Sequence, residues 1–200
     1  MAGSSGPLPR RIVLASASPR RRDLLQSAGF EVVIRPSEVE EISGGLPPRE
    51  LVAANAKRKA LHVSDQLCGD LILGADTVVV LDGDILGKPR DRDHATEMLG
   101  RLSGRVHEVL TGVCLVRGGS REVCLFVEST RVSFRTLDNA MIGDYLAEID
   151  PLDKAGSYAA QDDRGRLIER IEGSLENVIG LPVGRVMEAL RLHFREEQAG

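Results

Sequence analysis

The chain has 200 residues, 42% hydrophobic and 28% charged, which is enough apolar length to bury the core of one soluble globular domain. Its formal net charge of −4 excludes a general attraction to nucleic acid or to an anionic membrane, so an anion must be held by a local cluster. Aromatic residues make up 3% and Trp is absent, so the core has to be built from Val, Leu, Ile and Ala. Residues 1–9, MAGSSGPLP, lack the basic start and apolar stretch of a secretory signal and read as a disordered tail, with a single domain expected over 10–196. No later run is long enough to cross a bilayer.

Periodicity and punctuation predict a strand over 11–15, a helix over 19–27 ended by Gly29, and a strand over 30–34. The acidic, Gly/Pro-rich SEVEEISGGLPPRE follows. A helix over 49–63 carries Leu51, Val52, Ala56, Ala60 and Val63 on one stripe. LILGADTVVVL is a strongly apolar strand with Asp82-Gly83 as its hairpin turn. A helix over 91–102 stops at Ser103-Gly104, and VLTGVCLV and EVCLFVESTRVSF are strands around the turn RGGS. Residues 138–149 form a helix that ends at Asp150-Pro151. DKAGSYAAQDDRG reads as a plain loop, RLIERIEG as a strand and VGRVMEALRLHF as a closing amphipathic helix. Strands and helices interleave early, and strands pair by tight turns later. The expected class is α/β, with a mixed central sheet flanked by helices.

Cys68, Cys114 and Cys124 form no C-x-x-C pair and have no His at metal-site spacing, which argues against a zinc site or a disulfide framework and for a reduced, cytoplasmic setting. His62, His94, His107 and His193 stand singly and far apart. With no Ser-His-Asp order, nucleophilic catalysis is not expected.

Two stretches carry chemistry. In RIVLASASPRRRDLL, Ser18 is an N-cap and Pro19 a first-turn residue, so the helix start explains both. It does not explain Ser16, nor Arg20, Arg21 and Arg22, which crowd positive charge onto the positive end of a helix dipole unless an anion docks there. Hydroxyls, free N–H groups and guanidinium forks together make a phosphate cradle, and a solvated basic turn is the alternative. In GADTVVVLDGDILGKP, Asp76 interrupts an apolar strand, where an unpaired carboxylate is costly, so it must meet a cation, a metal or a strong donor. Lys88 can return an ammonium toward the same strand. One of Glu38, Glu40 and Glu41 together with Asp76 would suit a hard divalent cation, the usual partner of phosphate substrates.

LASASPRRRDLL, GADTVVVLDGDILGKP, LSGRVHEVLTGV, PLDKAGSY and NVIGLP, in that order from residue 11 to the last helix, resemble the Maf family of nucleoside triphosphate pyrophosphatases. The resemblance implies two α/β lobes around a deep cleft, similar to inosine-triphosphatase folds. It also implies hydrolysis of a nucleoside triphosphate to monophosphate and pyrophosphate with Mg2+ or Mn2+. On the matching positions, Ser16, Arg20, Arg21, Lys59 and Lys154 would bind phosphate, Asp76 would be the general base with Lys88 beside it, and Glu41 and Asp76 would hold the metal. Arg20, Thr77 and Gln161 match positions tied to base choice and favour the branch acting on dTTP and UTP. A departure stands at SYAAQDDRGRL, where Asp162 and Asp163 bring negative charge next to Gln161 and keep a 7-methyl-GTP pyrophosphatase in play. A non-catalytic nucleotide-binding regulator of septum formation is the other alternative. The expected partner is the nucleotide itself, with no nucleic acid and no membrane, and with a homodimer left open.

Overall fold

The computed structural model describes residues 8–194, so most of the expected 1–9 tail lies outside the described residues, as do 195 and 196 at the expected end of the domain. Leu8, assigned to that tail, packs against the core.

Strands β1 (Arg11–Leu14), β2 (Glu31–Ile34), β3 (Leu71–Leu81), β4 (Asp84–Leu86), β5 (Val106–Arg117), β6 (Val123–Phe134) and β7 (Ile168–Glu172) form one seven-stranded sheet. Its order is β2-β1-β3-β5-β6-β7, with β4 on β3. β1 is parallel to both β2 and β3, while β3–β4, β3–β5, β5–β6 and β6–β7 run antiparallel, giving the expected mixed sheet. Helices α1 (Pro19–Ser27), α2 (Pro48–Ser64), α3 (Arg92–Leu102), α4 (Asn139–Glu148), α5 (Leu175–Ile179) and α6 (Val183–His193) complete the fold. Several start as the sequence dictates, with Asp91, Asp138 and Ser174 accepting from the N–H three residues on.

The long strand β3 explains the two lobes. Residues along a strand alternate between faces. On one face Leu71, Leu73 and Ala75 join a core with Ile12, Leu25, Val186 and Leu190, whereas Val79 and Leu81 enter a second core with Leu99, Ile142 and Tyr145. Thr77 stands between the two. On the other face Ile72 packs under α2 with Ala56 and Val63, and Val78 packs with Leu51 and Leu110. Asp76 stands between those. α2 lies unusually close there, because a Cβ at Gly74 would sit 2.4 Å from the Ala56 carbonyl oxygen and one at Gly112 2.3 Å from that of Val52. Gly112 is the residue paired with Asp76 across β3 and β5. The two glycines thus set α2 directly over Asp76.

One edge of β3 is covered by β5 along Leu71–Val80, but the other is shared. β1 pairs there at Ile72 and Leu73, and β4 at Val79, Val80 and Leu81. Between them the edge has no strand partner, so the sheet opens at Asp76 and Thr77.

Three local expectations change. The loop over 153–165 contains two 3-10 turns, Ala155–Ser157 and Ala160–Asp162, tied inward by the buried Tyr158 and Ala159. The strand expected over 166–173 begins only at Ile168, because Asp163 accepts from the Leu167 and Ile168 N–H groups and turns the chain first. The five-residue α5 was not expected, since one turn and a half carries no usable periodicity. Among the described residues no helix is long and apolar enough to cross a membrane.

Candidate active site

The opening beside β3 is a cleft of about 680 Å³, in the range of small-ligand sites, lined from both lobes. The loop after β1 and the first turn of α1 supply Ser16, Arg20 and Arg21; α2 supplies Asn55 and Lys59; β3 supplies Asp76 and Thr77. Glu41 comes from the segment before α2, Lys88 from the loop after β4, and Lys154 and Gln161 from the segment after α4. All of the expected site residues meet at this one place.

Asp76 is buried, at 7% exposure, and its partner is an ammonium. Lys59 Nζ donates to Asp76 Oδ1 at 2.8 Å and lies 2.6 Å from Glu41 Oε1, so it stands between the two carboxylates. Asn55 Nδ2 donates to Asp76 Oδ2 at 3.1 Å. The cost of burying Asp76 is therefore offset by a cation and an amide on one face of α2. Burial raises the Glu41 carboxyl more than any other single influence, yet the hydrogen bond and charge of Lys59, with Lys88 and Arg21 behind it, together hold it below its usual value.

The three arginines part company. Arg21 is buried and ties the lobes together: Nε donates to the Gly180 carbonyl at 2.9 Å, Nη1 to Ser16 Oγ at 3.2 Å and the Ala75 carbonyl at 3.0 Å, and Nη2 to Thr77 Oγ1 at 3.0 Å. Four of its five N–H groups are thereby spent on protein, and burial pulls it below its ordinary value. Arg20 reaches across the cleft mouth, Nη1 to Asp153 Oδ2 at 2.8 Å and Nη2 to the Asp153 carbonyl at 3.1 Å. Arg22 pairs with Asp23 and is absent from the cleft lining. Lys154 also pairs with Asp153 and donates to the Asp150 carbonyl. Lys88 is exposed and makes no ion pair among the described residues.

Ser16 and Thr77 are braces as much as ligands. Ser16 Oγ accepts from the Ser18 N–H at 3.2 Å and from Arg21, while Thr77 Oγ1 bonds Arg21, Thr111 and the Gly180 carbonyl. Gln161 is exposed on the cleft wall. The charge expected beside it is turned elsewhere. Asp163 is buried against two backbone N–H groups, and Asp162 lines a separate hollow with Glu148 and Arg164.

Glu41 and Asp76 are hard oxygen donors of the kind that hold Mg2+ or Mn2+ when phosphate oxygens and water complete the coordination, and with Lys59 Nζ already between them they would share such an ion with that ammonium. Among the described residues no third His, Cys, Asp or Glu joins them.

Asn55 and Asp153 are site residues that the motifs did not single out. Asn55 did leave a signal, as a polar residue four positions from both Leu51 and Lys59 on the buried stripe of a helix. Asp153 lies inside PLDKAGSY, but nothing in that motif points to its partner Arg20, 133 residues away.

The family model described as Maf-like protein matches residues 11–193. The chain belongs to the Maf family. A dTTP/UTP pyrophosphatase of Anaeromyxobacter dehalogenans is 48% identical over 187 residues, covering 90% of this chain and 93% of that relative. One of Pyrococcus abyssi is 44% identical over 184 residues, covering 92% and 97%. A solved nucleoside-triphosphatase, dITP/XTP pyrophosphatase, of Mycobacterium abscessus superposes with a TM-score of 0.41 at 16% identity, over 64% of this chain and 75% of that one. The five motifs that carry the Maf resemblance all fall inside the matched residues.

Proposed function

We propose that this Maf-family chain hydrolyses nucleoside triphosphates, dTTP and UTP first, to the nucleoside monophosphate and pyrophosphate with the help of a divalent cation. The observation that carries the reading is Asp76, a buried carboxylate held at the free edge of β3 in a cleft that also receives Arg20, Arg21, Lys59, Lys88 and Lys154. A site built only to hold a polyanion gains nothing from that carboxylate, whereas hydrolysis needs a proton acceptor beside charge neutralisation. The names of the relatives point the same way.

In this reading Arg20, Lys88 and Lys154 take the phosphate oxygens. Lys59 and Asn55 hold Asp76 so that its carboxylate can accept a proton from water as the water oxygen bonds to phosphorus. The bridging α–β bond breaks, and pyrophosphate leaves against Arg20, Lys88 and Lys154. A divalent cation on Glu41 and Asp76 would add neutralisation of the triphosphate. Three cysteines without disulfide partners support a reducing, cytoplasmic setting.

Product chromatography tests the reading. dTTP should yield dTMP and pyrophosphate, turnover should stop in EDTA and return with excess Mg2+ or Mn2+. Diphosphate and orthophosphate as the main products would overturn the reaction type.

A further inference from the structure

We propose that Asn55 is a positioning residue, whose single amide locks the segment carrying Glu41 to Asp76 and so fixes the spacing of the two catalytic-site carboxylates. The inference rests on the hydrolytic reading of Asp76 and adds a residue to it.

From 36 to 46 the chain belongs to no helix or strand, and among the described residues no backbone–backbone hydrogen bond is made there. Most of this segment is exposed, Glu41 included. Such a segment has little to define its place, yet it delivers a carboxylate that must be located to within a fraction of an ångström. The Ile42 side chain packs against the cluster of Leu51, Val52, Val78 and Leu110, and two polar side chains of α2 fix the segment's polar atoms. Lys59 meets Glu41, and Asn55 meets the backbone of the next residue, Ile42. Asn55 Oδ1 accepts from the Ile42 N–H at 2.8 Å, and Nδ2 donates to the Ile42 carbonyl at 3.0 Å and to Asp76 Oδ2 at 3.1 Å.

Every hydrogen of the amide nitrogen is used, and only one orientation works. Flipping the amide would set oxygen against the Ile42 carbonyl and the Asp76 carboxylate. No other side chain of similar size does both jobs. Leu would leave the Ile42 N–H, the Ile42 carbonyl and Asp76 Oδ2 without this partner, and Asp would face Asp76 with a second carboxylate. Asn55 is 2% exposed in the middle of α2, a place where Asn has low helix propensity, so neither solvent nor the helix calls for it.

Hydrogen exchange of the substrate-free protein, read residue by residue by NMR, tests the lock without turnover. In the unmodified protein the Ile42 amide should exchange at least about tenfold more slowly than that of Ser43. Asn55→Leu should bring Ile42 to the Ser43 rate. It should also lower kcat on dTTP by about 10–100-fold, with KM changed less than about threefold, because the carboxylates are misplaced while the arginine and lysine contacts remain. Asn55→Asp keeps an acceptor for the Ile42 N–H, so it should retain protection while losing kcat. Ile42 exchanging as fast as Ser43 in the unmodified protein overturns the proposal, as does either variant retaining full kcat. Should Asn55→Leu fail to fold, the unmodified protein and Asn55→Asp still decide. The hydrolytic reading fails separately, if the unmodified enzyme does not release dTMP and pyrophosphate from dTTP.

Discussion

Arg20 and Asp153 clasp each other across the mouth of the cleft, with the guanidinium donating to the Asp153 carboxylate at 2.8 Å and to its carbonyl at 3.1 Å. Lys154 closes on the same carboxylate. Two cations that the site can offer to a triphosphate thus share Asp153, Arg20 from across the cleft and Lys154 from the next position in the chain.

The two ends of that clasp should respond differently to removal. Exposed ion pairs are worth about 0–1 kcal/mol, and half of the Asp153 side chain is exposed, so Asp153→Asn should lower KM by no more than about fivefold as phosphate stops competing with a carboxylate. A charge-assisted contact to phosphate is worth about 1.5–3 kcal/mol, so Arg20→Ala should cut kcat/KM by about 10–100-fold. Steady-state kinetics on dTTP checks both. An unchanged kcat/KM in Arg20→Ala would remove Arg20 from the site.

Asp76→Asn should lower kcat by about 10²–10⁴-fold, the usual worth of a general base. It should also cost stability. Asp76 accepts from Lys59 and from Asn55, and an amide in its place must turn its NH2 toward one of those donors, at a cost of about 1–3 kcal/mol. Lys59 keeps Glu41 at 2.6 Å, so no unpaired charge is left buried and the variant should fold. Urea unfolding beside the turnover assay separates the two effects, and a folded variant with appreciable turnover would remove Asp76 from the base role.

The sequence made the fold legible wherever one element obeyed one period. β3 could be read from its apolar run, α1 from Ser18-Pro19, and α2 from its buried stripe. The cleft was legible because its motifs put polar residues where the local pattern calls for none, arginines at the start of α1 and Asp76 inside the apolar run of β3. What escaped depends on partners far along the chain. The Arg21 guanidinium is bound to Gly180, 159 residues away, and Asp153 to Arg20, 133 residues away. Asp162 and Asp163 misled for the same reason, since adjacency to Gln161 in sequence does not say where their carboxylates point.

His107 sets an acid limit on stability. It is buried at 2% exposure against Phe134 and Tyr158, its Nε2 meets the Tyr158 hydroxyl at 2.9 Å, and its Nδ1 has no hydrogen-bond partner. Burial pulls its pKa from 6.5 to about 4. The native state therefore holds it neutral, and the unfolded chain binds the extra proton between those values. The stabilisation is present in full above pH 6.5 and is lost as pH falls toward 4, so unfolding free energy should drop by about 2 kcal/mol between pH 7.5 and 5. Glu41 and Asp153, both held below their usual values, add their losses at lower pH. Urea unfolding at the two pH values checks the drop, and His107→Gln should abolish most of it. An equal drop in that variant would assign the effect elsewhere.

Base choice should follow from what the cleft leaves free. Its lining carboxylates are Glu41, Asp76 and Asp153, and each already has a cation: Lys59 for the first two, Arg20 and Lys154 for the third. Each is thus partly neutralised, and none lies beside Gln161, which weakens the pull of the cleft on the cationic ring of 7-methyl-GTP. Gln161, exposed on the cleft wall, offers one acceptor and one donor edge, which matches the N3–H and O4 of thymine and uracil. Cytosine presents the reverse pattern, which an amide meets by turning over, so CTP should be discriminated only weakly. Two neutral hydrogen bonds at about 0.5–1.5 kcal/mol each put the advantage of dTTP and UTP over a base that makes neither at about 5–150-fold. Specificity constants for dTTP, UTP, CTP and 7-methyl-GTP under one metal condition measure it directly. Gln161→Ala should lower kcat/KM for dTTP and UTP by that same range while leaving 7-methyl-GTP within about twofold, so that the ranking flattens through loss on the pyrimidines alone. A preference of the unmodified enzyme for 7-methyl-GTP, or a Gln161→Ala variant with the full pyrimidine preference, would take base reading away from Gln161.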